Sequence, residues 1–104
     1  MIKITLTKNS NIIKKITIIG HANYDDYGKD IVCAAVSSTI ITSVNIMLSL
    51  DDNCINYDDK NGLVIDVLKN DVTTNKILDV LVNNLYQLYE AYPNNIQIKE
   101  ENNE

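Results

Sequence analysis

Apolar and polar residues alternate from the start of the chain. Ile2, Ile4 and Leu6 interleave with Lys3, Thr5 and Thr7, the pattern of a half-buried strand. Asn9-Ser10-Asn11 reads as a turn, and residues 12–19 return as a second strand, with Ile16 and Ile18 on one side and Lys15 and Thr17 on the other. Gly20 ends this hairpin, at a point where the backbone is free to turn sharply or to accept a close neighbour. Residues 21–29 read as a loop. The next twenty residues, 31–50, carry no charge. Their Val, Ile and Thr side chains favour strand locally, but no ordinary strand runs that far, so length predicts a helix. Asp30 is placed to cap it, its carboxylate accepting from the backbone N–H of Val32 or Cys33. At about 100° per residue, Ser38, Thr42, Asn45 and Ser49 fall in one polar stripe, with Cys33 far round from it. Asp30, Cys33 and Ser37 share a face, which turns the thiol toward packed structure.

Asp51-Asp52-Asn53 closes the helix. Residues 54–58 and 63–68 then form two short strands about an Asn61-Gly62 turn. Thr73 or Thr74 is the expected cap of a second helix. Ile77, Leu78, Leu81, Val82, Leu85, Leu88 and Tyr89 form its apolar stripe, and Pro93 stops it. Ile96 and Ile98 suggest a short last strand, and residues 100–104 a disordered tail. The predicted order ββαββαβ describes one small α+β domain over residues 1–99, two helices packed on a mostly antiparallel sheet.

Composition narrows the function. A chain of 104 residues supports one core, and 45% apolar with 22% charged residues is ordinary for a globular domain. Phe and Trp are absent, so aliphatic side chains must build that core. A formal charge of −5 and a pI near 4.7 argue against a nucleic-acid surface. The N-terminus lacks the continuous apolar run of a signal peptide. The uncharged stretch 31–50 has the length of a membrane span, but seven of its residues are Ser, Thr or Asn and no basic cluster or aromatic belt flanks it; a buried helix is expected, and no membrane. Cys33 and Cys54 lack CxxC spacing, which points to reduced thiols in the cytoplasm.

The residues that carry chemistry are His21, the only histidine, and Cys33. A cysteine attacks as thiolate, a form favoured by a nearby imidazolium or a helix N-terminus, and first-turn N–H groups can hold an oxyanion. His21 would serve as base and then as acid to the leaving amine. Asp30 is the nearest group in sequence to orient the imidazole, and Ser37 lies one turn beyond the thiol. Spacing alone leaves a plainer reading open: Cys33 in IVCAAV as a small buried apolar residue, His21 as a hydrogen-bonded structural one. One His and two distant Cys give no zinc spacing, so neither metal nor cofactor is expected, and Cys54 reads as structural.

Gly20-His21-Ala22, Tyr27-Gly28-Lys29-Asp30 and Ile31-Val32-Cys33-Ala34-Ala35-Val36-Ser37 together resemble the ribosomal-processing cysteine protease family, Prp, and YEAYPNNIQI is similar to that family's ending. The resemblance implies a His21–Cys33 dyad. It also implies a peptide substrate, the N-terminal extension of a large-subunit ribosomal protein, cut after an apolar peptide that ends in an aromatic residue. A mobile flap over 21–29 with Gly20 and Gly28 as hinges, and a homodimer, are further expectations of the resemblance. The competing function is a non-catalytic module that binds a ribosomal protein or assembly intermediate in the same groove.

Overall fold

A computed structural model describes residues 1–20 and 30–103. The elements are β1 (Ile2–Asn9), β2 (Ile12–Ile19), α1 (Ile31–Leu50), β3 (Ile55–Asp58), β4 (Leu63–Val67), α2 (Val72–Ala91) and β5 (Ile96–Asn102). They form one five-stranded sheet in the order β3-β4-β2-β1-β5, antiparallel except where β5 runs parallel to β1. The order ββαββαβ is the one expected from the pattern.

Each local structure has a local cause. Ser10 and Asn11 take left-handed backbone angles (φ 52° and 65°), the geometry that lets a two-residue turn follow the twist of its strands. Thr7 pairs with Lys15 but Lys8 with Ile13, so Lys14 is an extra residue in β2. This bulge resets the alternation, and Ile13 and Ile16 are both buried in the core although they are three residues apart. Period-two reading alone finds Ile16 and Ile18 and misses Ile13.

One face of the sheet is apolar. Ile2, Ile4, Leu6, Ile16, Ile18, Ile65 and Ile96 are buried there beneath the helices. The stripe Val32, Val36, Ile40, Val44 and Met47 of α1 joins them, together with Leu78, Leu81 and Leu85 of α2. A fully buried aliphatic side chain contributes roughly 1.5–3 kcal/mol, which is why a core without Phe or Trp suffices. By length and composition α1 would cross a bilayer, yet its buried stripe is part of this core. The polar stripe Ser38, Thr42, Asn45 and Ser49 is exposed, as the helical period requires.

Two expectations are corrected. The cap of α2 is Asp71, whose Oδ1 accepts from Thr74 N at 2.8 Å. Thr74 is buried inside the helix, so neither threonine serves as the cap. The tail from residue 100 continues β5 to Asn102, and Asn103 N donates to the Lys8 carbonyl oxygen at 2.8 Å. Lys8 Nζ lies 2.6 Å from a Glu100 oxygen, and Tyr86 of α2 donates its phenol to the other. Parallel pairing with β1 and this cluster order a segment whose composition reads as tail. Tyr89, expected on the apolar stripe, is 38% exposed at its edge.

The cluster yields a pH prediction. Burial first, then the bond to Glu100, pushes the Tyr86 phenol up to about 12. The bonds from Lys8 and Tyr86 hold the Glu100 carboxyl below its usual range. The stabilisation from Glu100 is therefore lost as pH falls through its lowered value. That from Tyr86 is present below the ordinary phenol range and is lost as pH rises toward about 12. An alkaline absorbance titration should show a phenol step near pH 12, and Tyr86→Phe should remove that step.

Candidate active site

The site begins at the N-terminus of α1, where four backbone N–H groups have no helical partner. Asp30 is extended (φ −74°, ψ 103°), and its Oδ1 accepts from Val32 N at 2.9 Å and Cys33 N at 3.0 Å. The cap expected from the sequence is therefore formed. Asp30 O accepts from Ala34 N at 3.1 Å and closes the first turn. The other carboxylate oxygen reaches the sulfur, and Cys33 Sγ donates to Asp30 Oδ2 at 3.4 Å. One carboxylate thus holds the helix start and meets the thiol.

Cys33 is half-buried and packs against the core at the start of the helix. Ser37, one turn further on the same face, is also half-buried. Gly20 ends β2 with φ +91°, and a Cβ there would lie 2.4 Å from the Met1 carbonyl oxygen. A side chain is excluded by both backbone and space. The structure thus brings Asp30 and Cys33 together and fixes the strand end that precedes the histidine. His21 and Gly28 lie outside the described residues, as does the loop expected to act as a flap.

Cys54 is different. It is 1% exposed, and its Sγ donates to the Met47 carbonyl oxygen at 3.5 Å, so it is a core residue, as its sequence context suggests. Both cysteines are reduced thiols. The link that sequence reasoning missed is the thiol–Asp30 contact. The three-residue spacing on one helical face was its only signal, and the same spacing serves a plain cap.

A half-buried thiol in the first turn of a capped helix has the placement that a cysteine nucleophile uses. Comparison with known proteins gives the class its name. The family described as cysteine protease Prp matches residues 1–97. Ribosomal processing cysteine protease Prp of Staphylococcus aureus is 33% identical over 103 residues, spanning 94% of this chain and 97% of that protein. The crystal structure of that organism's essential ribosomal processing protease Prp with a covalently linked product peptide superposes with a TM-score of 0.87 at 32% identity, covering 97% of this chain and all of that one. The same protease with a substrate peptide gives 0.82 at 31% identity over the same shares. SMU.848 from Streptococcus mutans gives 0.81 at 27% identity, covering 99% and 96% of the two chains. The chain belongs to the cysteine protease Prp family and is a cysteine protease.

Proposed function

We propose that this protease removes the N-terminal extension of a large-subunit ribosomal protein in the cytoplasm, with Cys33 as nucleophile and His21 as its base. The observation that carries the reading is the placement of Cys33: half-buried, on the first turn of α1, beside the helix's N-terminal amides. The Staphylococcus aureus relatives, solved with a substrate peptide and with a covalently linked product peptide, support a peptide substrate. The imidazole of His21 takes the proton from Sγ, and the thiolate adds to the scissile carbonyl carbon. The tetrahedral oxyanion collapses as the C–N bond breaks, and the imidazolium gives its proton to the leaving amine. A water molecule, deprotonated by the same imidazole, then cleaves the thioester and restores the thiol. No cofactor enters these steps. The amides of Val32 and Cys33 already serve Asp30, so an oxyanion held there has to share them.

The test is a peptide carrying the organism's own ribosomal-protein N-terminus, read by mass spectrometry. Wild type should cut once, and His21→Ala should not cut. Binding without any cut by wild type would leave a peptide-binding module instead.

A homodimer belongs to the same proposal. Between α1 and α2 lies a cavity of about 600 Å³ bordered by Ser38, Thr39, Thr42, Ile46, Ile77 and Val80. Thr39 Oγ1 donates to its own helix at Ala35 O (2.8 Å), so the hydroxyl proton is satisfied internally and adds little polarity to the cavity wall. Ile46, 46% exposed, and Val80, at 50%, leave apolar surface open at this cavity, which favours a second copy as its cover. Ile46→Glu should shift sedimentation from dimer to monomer; an unchanged dimer would place the interface elsewhere.

A further inference from the structure

Val72 and Leu50 are the two most exposed large apolar side chains among the described residues, at 86% and 64%. They stand at one end of the helix pair, where Leu50 ends α1 and Val72 begins α2. Both line a cavity of about 390 Å³ whose wall also includes the buried Met47 and Cys54. Side chains so exposed add little to the core, and apolar surface left open at a cavity marks a contact.

Charge says what makes that contact. The carboxylates of Asp51 and Asp71 line the same cavity. Asp51 is engaged at both oxygens, Oδ2 with Lys69 Nζ at 2.6 Å and Oδ1 with Asn53 N at 3.0 Å. Asp71 Oδ1 accepts from Thr74 N at 2.8 Å as the cap of α2, whereas its Oδ2 has no hydrogen bond to the described residues. Asp52, next to Asp51, is exposed. Asp51, Asp52 and Asp71 outnumber Lys69, on a chain whose net charge is −5. Apolar walls beside an unengaged carboxylate oxygen suit a lysine or arginine side chain, which lays its methylenes on apolar surface and carries a cation at its end. A ribosomal protein holds many such side chains, because it binds RNA phosphates.

We propose that this cavity is an exosite for the substrate: it takes a lysine or arginine side chain of the ribosomal protein itself, beyond the extension that is removed. The inference rests on the substrate class proposed above. Leu50 follows Cys33 on α1 at about 25 Å, taking 1.5 Å per residue, a span that an extended chain covers in roughly eight residues. The exosite is a second point of attachment, so the segment to be cut reaches Cys33 from a protein already bound. The interhelical cavity assigned to a second copy shares only Ile77 with this one, so Leu50, Asp71 and Val72 lie outside it.

The experiment compares two substrates, the full-length precursor of the organism's ribosomal protein and a short peptide that ends a few residues beyond the cut. Wild type is set against Asp71→Asn, Leu50→Gln and Val72→Ser. Asparagine keeps the cap acceptor while removing the charge, and the other two changes fall on exposed side chains, so all three should fold. KM for the precursor should rise roughly fivefold with kcat unchanged, and both constants for the peptide should stay at wild-type values. Equal losses on peptide and precursor overturn the exosite, as does a precursor KM that does not move. Asp66→Asn removes the same charge from β4, away from the cavity, and should leave the precursor unaffected; an effect as large as that of Asp71→Asn would mean unspecific attraction and overturns the proposal. Binding of the precursor to Cys33→Ala, read by fluorescence anisotropy with and without the same changes, does not depend on turnover. Weakening there by a similar factor, with neither substrate cut by wild type, would refute the proposed reaction and support the exosite. Undiminished binding with cleavage intact would refute the exosite alone.

Discussion

Cys33→Ala should fold, melt within a few degrees of wild type and cleave nothing. The structural side of this expectation follows from its position. Cys33 is half-buried in the first turn of α1, where alanine is the best helix former and fits the space that the thiol leaves. The cap survives, because Asp30 Oδ1 bonds the backbone N–H of residue 33 and not its side chain. The loss includes the 3.4 Å contact with Asp30 Oδ2, at the partly exposed helix start. The chemical side is far larger. Without sulfur no thioester can form, and removing the nucleophile of a covalent hydrolase typically lowers turnover on the order of 10⁶-fold. The two effects separate cleanly: thermal unfolding reads the first and peptide cleavage the second. Cleavage by Cys33→Ala at even a few per cent of the wild-type rate would remove Cys33 as nucleophile.

The sequence discloses most of this fold because its local signals agree. Residues 31–50 needed only their length and an acid before them to be read as a capped helix, and Asp30 caps it. Where reading failed, a long-range partner decided. Thr74 has the residue type of a cap, but the fold buries it and moves the helix start back to Val72, under Asp71. Residues 100–102 have the composition of a tail, and β1, Lys8 and Tyr86 order them. The Lys14 bulge follows from pairing register, which periodicity does not encode. At the site, the thiol and its helix were legible. That one carboxylate reaches both cap and sulfur was not, because side-chain rotamer decides it.

Gly20→Ala is the second change expected to have a large effect, this time through backbone geometry. At φ +91° an alanine is strained by roughly 1–3 kcal/mol before any contact is considered. Its Cβ would also fall 2.4 Å from the Met1 carbonyl oxygen, a backbone atom with no rotamer to give way. Met1 has little room to retreat, because the next residue is pinned on both sides. Ile2 N donates to Asn95 O at 2.8 Å, and its side chain is 2% exposed within the core. The strand end of β2 must therefore shift, and with it the backbone that enters residue 21. The expected result is a melting temperature lower by about 10 °C or more, taking about 4–8 °C per kcal/mol for a domain of this size. Cleavage should fall further than the unfolded fraction explains, since the displaced segment carries His21. Assaying well below the variant's melting point separates the two losses. Full activity there, with the lower melting temperature, would assign Gly20 to the sheet alone, and an unchanged melting temperature would mean that the strand end relaxes without strain.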